Sequence, residues 1–130
     1  MYSQEEKKSV CTCIVCDLLR DSFRSRDFTS KKNIVENGRH IPKLNISLKV
    51  KNCIRKFNNQ MYIDNEWLAG CSSVQKLYCW PCLLFLNDKT VWNNYGYNDL
   101  SNIHKAVKKH SLSENHLHAV LSVKQGLSVC

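Results

Sequence analysis

The chain has 130 residues, and its 19 lysines and arginines outnumber 11 aspartates and glutamates to give a formal net charge of +8. This length predicts one domain, or one domain with tails. The positive charge favours anionic partners, with nucleic acid as the first candidate. No apolar run approaches the ~20 residues that a membrane span requires, and the start of the chain lacks the apolar core of a signal peptide. We therefore expect a cytosolic or nuclear protein, in which cysteine spacing more often indicates metal than disulfides.

The first cysteines lie close together near the start of the chain. Three of them fall within six residues, namely Cys11, Cys13 and Cys16. The apolar residues around them are typical of a short helix from about Val15 to Phe23. Three close cysteines can form half of a zinc site, but no second half is obvious, because Cys53 and Cys71 are isolated in the sequence. We expect buried or unpaired thiols here rather than a metal site.

Residues 31–60 hold seven of the eight excess positive charges, because they contain eight basic side chains and a single acidic one, Glu36. Two interpretations are open: a solvated basic linker, or an arm that contacts phosphates. The candidate contacts of such an arm are Lys49, Lys51, Arg55 and Lys56. Leu44–Lys51 alternates apolar and polar residues, as a strand does, but is short and isolated. We expect residues 1–57 to be a partly disordered, basic, cysteine-containing segment.

The folded unit is expected at residues 58–124, with 125–130 as a tail. Its predicted elements follow in chain order: a strand or short helix within Met61–Leu68, a turn at Gly70–Ser73, strands at Val74–Tyr78 and Leu83–Leu86, an aromatic loop at Val91–Tyr97, a helix over Leu100–His110, and a second helix beginning at Ser113. This pattern indicates an α+β fold, a small zinc-stabilised hairpin plus helices, after a poorly ordered basic N-terminal half.

Cys79 and Cys82 form half of a metal site, because a tight knuckle brings two such sulfurs to one ion. Pro81 stiffens that knuckle by fixing its own φ. His110 and His116 can supply the other half. In an unbroken helix these histidines would lie about 9 Å apart along the axis, so the helix must break between them. Alternative ligands are His104 and His118.

A redox dithiol is the competing interpretation, since proline before the second cysteine resembles thioredoxin-type sites. Such a motif follows a strand and opens a helix in a βαβ unit, whereas Leu83–Leu86 looks like a strand. Zinc is therefore preferred. Two cysteines and two histidines close the coordination sphere, so we expect no enzymatic activity.

From Asn58 to about Val123 the chain resembles a TTF-type zinc finger, the N-terminal module of hAT-transposase-derived proteins, including proteins similar to zinc finger MYM-type protein 1. The matching stretches are Trp67-Leu68, Leu77–Phe85, Gly96-Tyr97 and His110–His116. The resemblance implies Cys79, Cys82, His110 and His116 as zinc ligands, in a transposon-derived nuclear protein that acts on DNA. The family's RNase H-type catalytic core has no counterpart here, which implies a fragment or a truncated copy.

The helix Leu100–His110 is the candidate DNA-contacting surface, with exposed lysines that can meet phosphates. These are Lys105, Lys108 and Lys109, for which an ordinary solvated helix face is the alternative. Base contacts could come from Asn93, Asn98 or Asn102. A protein–protein interaction module associated with chromatin or transcription is the alternative function. It would use Trp80, Trp92, Tyr95 and Tyr97 as an exposed patch, although we expect these rings to fill the core.

Overall fold

A computed structural model describes residues 11, 13–50, 52–86 and 88–125. The fold is α+β, as the sequence predicts. The helices are α1 (Ile14–Arg20), α2 (Phe28–Asn37), α3 (Gln60–Asp64), α4 (Trp80–Phe85), α5 (Ile103–Ser111) and α6 (Glu114–Gln125). The strands form two antiparallel hairpins, β1 (Ser47–Val50) with β2 (Cys53–Lys56), and β3 (Leu68–Cys71) with β4 (Lys76–Cys79). Within the described residues, no helix is long and apolar enough to cross a membrane.

The hairpin β3–β4 is the central layer of the molecule. Its register pairs Leu68 with Cys79 and Cys71 with Lys76. Because successive side chains of a strand point to opposite faces, Leu68 and Cys79 share one face while Ala69 and Cys71 lie on the other. All four are fully buried, at 0% exposed. The hairpin therefore separates two cores, and each core has one of its cysteines.

The larger core covers the face of Leu68 and Cys79. It draws on the hairpin β1–β2, on α3 and on α5 and α6. The buried residues of α5 follow helical spacing, with Leu100 before the helix and Ile103 and Val107 within it, as predicted for this segment. Leu77 lies at the centre, fully buried and bridged to Tyr97 by two backbone hydrogen bonds of 2.7 and 2.8 Å.

The smaller core covers the face of Ala69 and Cys71. It is formed by α1, the short turn at Phe23 and one residue of α2, together with the buried Trp80, Leu83 and Leu84 of α4. Val15 and Leu18 of α1 are 0% and 4% exposed, and Phe23 packs its ring 5.3 Å from that of Phe85. The predicted N-terminal helix is thus present, and it packs against the rest of the fold. The predicted boundary at residue 57 stays a prediction, although contacts of α1 with β3 and α4 cross it.

Three local predictions are wrong. The segment predicted as an aromatic loop at Val91–Tyr97 contains a π-helical turn, Val91–Tyr95. The segment predicted as a strand at Leu83–Leu86 belongs largely to helix α4, Trp80–Phe85. Pro81 lies in the first turn of α4, where its missing N–H costs nothing, and a short apolar run does not by itself distinguish a strand from a buried helix. The turn predicted at Gly70–Ser73 begins two residues later, at Ser72, because β3 continues to Cys71.

Gly96 gives the first testable prediction. Its φ is +85°, and a Cβ there would lie 2.8 Å from the hydroxyl of Tyr78 and 2.8 Å from Cβ of Lys76. Gly96→Ala is expected to combine about 1–3 kcal/mol of backbone strain with a steric clash. The matched control is Gly38→Ala, which has φ +79° but nothing within 4 Å. Urea denaturation should show the larger loss for Gly96→Ala, and equal losses would mean that the close approach is unimportant.

Candidate metal centres

The first cluster contains four side chains of types that bind metals, and each comes from a different helix or strand. Cys79 ends β4, Cys82 lies in α4, His110 in the last turn of α5, and His116 in the first turn of α6. Their ligand atoms all lie within 4.8 Å of one another. This is the set that the sequence spacing indicates, and these side chains could hold a metal ion.

The two histidines meet because the helix breaks between them, as the sequence predicts. Helix α5 ends at Ser111, and Ser113 caps α6, with its hydroxyl accepting a hydrogen bond from the backbone N–H of His116 at 3.3 Å. The ring centroids of His110 and His116 are 4.5 Å apart. Without this break the two rings would point to different sides of one helix.

The distances suit one tetrahedral ion. Sγ of Cys79 lies 3.3 Å from Nδ1 of His116, and Sγ of Cys82 lies 3.5 Å from Nε2 of His110. Metal–sulfur bonds of about 2.3 Å and metal–nitrogen bonds of about 2.0 Å give sulfur–nitrogen edges of roughly 3.5 Å in a tetrahedron. The facing atoms identify Nδ1 of His116 and Nε2 of His110 as the nitrogens that would bind the ion.

Aromatic rings hold the histidines in place. The ring centroid of Trp67 lies 4.9 Å from that of His110 and 5.0 Å from that of His116. Trp92 lies 5.0 Å from His110 and stacks on Tyr97 at the same centroid distance. Because both imidazoles are bounded by rings, their orientation is fixed by packing before any ion binds.

The thiols of Cys79 and Cys82 differ in pKa, and a bound ion would affect the protonation of both. Burial raises the pKa of the Cys79 thiol, and a hydrogen bond with Cys79 lowers the pKa of Cys82 to about 4. Both thiols are 0% exposed. Since a buried charge is costly unless a cation or hydrogen bonds compensate it, a divalent cation would stabilise the Cys82 thiolate and favour loss of the Cys79 proton.

The alternative ligands lie elsewhere. His104 and His118 are exposed and belong to neither of the groups of clustered ligand atoms found among the described residues. His104 lines a surface pocket beside Lys56 and Met61, and His118 lines another beside Phe85. Neither takes the place of His110 or His116.

A second cluster contains cysteines that the sequence leaves without a partner. The ligand atoms of Cys11, Cys13, Cys16 and Cys71 also lie within 4.8 Å of one another and could hold a metal ion. The second half that the sequence does not reveal is therefore Cys71, while the expectation of free thiols rather than a metal site stays a prediction. Cys71 completes the set because it ends β3 on the face that α1 covers.

The second cluster differs from the first in exposure and in protonation. Cys71 is fully buried and Cys16 is 9% exposed, whereas Cys11 and Cys13 are partly exposed. A hydrogen bond with Ser73 lowers the pKa of Cys11 to about 6. Burial raises the pKa of Cys13 to about 11 and also raises that of Cys16. One thiol of the four thus ionises readily while two resist ionisation.

The lysines of the candidate DNA surface are exposed on two elements. Lys105, Lys108 and Lys109 lie opposite the buried face of α5. Lys49 and Lys56 are also exposed, and the register of β1–β2 places both on one face of that hairpin. Lys51 and the side chain of Arg55 lie outside the described residues.

Other predicted contacts are engaged elsewhere. The side-chain amide of Asn93 donates to backbone carbonyls of Leu86 and Asp88, and that of Asn102 donates to the carboxylate of Asp99. Trp80 and Trp92 are 5% and 6% exposed, as expected for core rings. Of the four aromatic residues considered for an exposed patch, Tyr95 is the most accessible, at 60% exposed.

The structure has one feature of a redox dithiol site and lacks another. The pair Cys79 and Cys82 does follow a strand and open a helix, β4 and α4. However, β4 belongs to a two-stranded antiparallel hairpin rather than to a βαβ unit, and both sulfurs face histidine nitrogens. This arrangement favours a metal centre.

Comparisons of the chain with protein-family models, with curated proteins and with solved structures give no match.

Proposed function

We propose that this chain is a zinc-binding module that binds DNA. The observation that carries the proposal is the buried set Cys79, Cys82, His110 and His116, whose ligand atoms lie within 4.8 Å of one another. Two thiolates and two imidazoles in a tetrahedron are a preferred donor set of zinc. The ion would cross-link β4 and α4 to the helices α5 and α6.

The zinc that we propose is structural. Four protein ligands leave no open coordination position, and a catalytic zinc requires one. His116 is 2% exposed and both cysteines are 0% exposed, while His110 is partly buried. We accordingly propose that the chain is not an enzyme, and that its function lies on the surfaces that the metal positions.

The surface proposed for DNA combines α5 with the hairpin β1–β2. The side chains of Lys56 and His104 line the same pocket, so the end of β2 adjoins the start of α5. Lys105 and Lys109 are four residues apart, as are His104 and Lys108, and all four are exposed. Asp64 is the acidic residue that lines this pocket. The net charge of +8 supports an anionic partner for this surface.

The resemblance to TTF-type zinc fingers supports a more specific proposal. The stretch from Leu77 to Phe85 and the His110–His116 spacing carry it. We propose that the module comes from a transposon-derived protein of the hAT type and acts in the nucleus. The alternative partners, proteins of chromatin or transcription, lose support because Trp80 and Trp92 are buried.

Salt dependence tests the DNA proposal. Five exposed lysines are available for phosphate contacts, namely Lys49, Lys56, Lys105, Lys108 and Lys109. If all five bind, the logarithm of the association constant should fall with the logarithm of salt concentration with a slope of about −4 to −5. Between 50 and 200 mM salt this is roughly a 10²–10³-fold loss of affinity. Fluorescence anisotropy with a random-sequence duplex measures it, and undetectable or salt-independent binding would contradict the proposal.

Charge reversal locates the surface. Lys105→Glu combined with Lys108→Glu should abolish detectable duplex binding at moderate salt, because two phosphate contacts become repulsive. The matched control combines Lys32→Glu with Lys124→Glu, two exposed lysines of α2 and α6. It makes the same change in net charge and should weaken binding only slightly. Equal losses in the two double variants would show that binding depends on net charge and not on α5.

A further inference from the structure

We propose that Cys11, Cys13, Cys16 and Cys71 form a second structural zinc site, which fastens the N-terminal helix α1 to the central hairpin. This inference does not rest on the proposed DNA binding. It begins from four thiol sulfurs within 4.8 Å of one another, a donor set that is typical of structural zinc.

The sulfur–sulfur distances match a single tetrahedral ion. Sγ of Cys71 lies 3.6 Å from Sγ of Cys11 and 3.3 Å from Sγ of Cys16. Metal–sulfur bonds of about 2.3 Å predict tetrahedral edges of roughly 3.8 Å, so a small outward movement of these side chains would admit the ion. The sulfurs are too close together to enclose a cluster of several iron atoms.

Local contacts shape the N-terminal part of the cluster. The backbone N–H of Cys16 donates to Sγ of Cys13 at 3.4 Å, which closes a tight turn at the start of α1. The guanidinium of Arg20 donates to the carbonyl of Cys11 at 2.8 Å and holds that residue near the turn. Three thiols therefore converge from one short segment before Cys71 completes the set.

Cys71 approaches the cluster from its buried side. Cys71 is 0% exposed and lies in an apolar core with Ala69 and Tyr78. A disulfide is the other way to join such cysteines, but its sulfurs lie about 2.0 Å apart. The described cysteines are free, and Cys71 faces two sulfurs rather than one.

The ion would join parts of the chain that are distant in sequence. Cys16 and Cys71 are 55 residues apart, and Cys11 and Cys71 are 60 apart. Between them lie α2, the hairpin β1–β2 and α3. The site would thus hold α1 as the cover of the smaller core, while the first site closes the larger one.

X-ray absorption and native mass spectrometry of the full chain loaded with zinc test the inference. Two sites hold six sulfurs and two nitrogens, so zinc should bind two per chain with an average shell of three sulfurs and one nitrogen. One zinc with two sulfurs and two nitrogens would overturn the second site and leave the first intact. An intact mass lower by two hydrogens, from a disulfide involving Cys71, would also overturn it.

Variants assign each ion. Cys71→Ser should retain one zinc with two sulfurs and two nitrogens, and Cys79→Ser should retain one with four sulfurs. Cys53→Ser, which removes an exposed cysteine outside both clusters, should retain both ions. If the wild-type chain binds only one zinc, retention of that ion in Cys71→Ser contradicts this inference, and its retention in Cys79→Ser contradicts the proposed first site. If a variant does not fold, the zinc count and the average ligand shell of the wild-type chain still test the second site.

Discussion

Cys79→Ser is expected to remove the zinc of the first site and to unfold the larger core. Structural zinc contributes apparent binding free energies of about 10–16 kcal/mol, whereas whole domains are stable by about 5–15 kcal/mol. The larger core contains Cys79 and Cys82 with residues of β1–β2, α3, α5 and α6, so loss of the ion affects most of the fold. Circular dichroism during heating should show that this variant has lost the main cooperative transition in the presence of zinc, with only the smaller core around the second cluster left to melt.

Cys53→Ser is the matched control, because Cys53 is exposed and belongs to neither cluster. It should melt like the wild-type chain. A zinc chelator should also remove the main transition from the wild-type chain, because it removes the ion of the first site. If Cys79→Ser instead keeps a cooperative transition near the wild-type temperature, the first site does not stabilise the fold and the proposed role of zinc is wrong.

Trp67→Ala is expected to reduce both stability and zinc affinity. Its ring contacts His110 and His116 at centroid distances of 4.9 and 5.0 Å and meets Trp92 edge-on at 5.3 Å. Truncation should cost about 3–5 kcal/mol of unfolding free energy. Because it also frees the two imidazoles, zinc affinity should fall about 10–100-fold, as it does when groups that orient metal ligands are removed.

Leu84→Ala separates the two effects. Leu84 is 4% exposed and lies in the smaller core, whereas Cys82 of the same helix lies in the larger one. Its truncation should cost about 2–5 kcal/mol and leave zinc affinity at the first site unchanged. Urea denaturation and competition with a chromophoric chelator measure the two quantities. Unchanged zinc affinity in Trp67→Ala would mean that the ring packs beside the histidines without orienting them.

The first cluster was accessible from sequence because its determinants are local. Cys79 and Cys82 lie three residues apart with a proline between them, and helix geometry requires a break between His110 and His116. The break at Leu112 and the cap at Ser113 have recognisable residues. The apolar spacing of α5 likewise predicts which of its faces is buried.

The second cluster was missed because it depends on a long-range fact. The cysteine or histidine nearest to Cys71 in the sequence is Cys79, which belongs to the first cluster. The role of Cys71 follows instead from the face of β3 on which it lies. That face is known only once the register with β4 and the docking of α1 are known. The available signal was weak: three unmatched cysteines, Cys11, Cys13 and Cys16, and a fourth, Cys71, in a segment predicted as a turn. Similarly, Leu83 and Leu84 fit either a strand or a buried helix until their neighbours are placed.

The hairpin β3–β4 restricts how this chain can change in length. Cys71 and Cys79 lie on opposite faces and about 10 Å apart along the strands. Inserting or deleting one residue within β3 or β4 would turn a cysteine toward the wrong core, because each such shift reverses the faces. This restriction on insertions and deletions does not apply to the turn at the end of the hairpin, Ser72–Gln75. Lengthening the chain at this turn therefore keeps both cysteines on their present faces. Lengthening it inside a strand moves one of them to the wrong face.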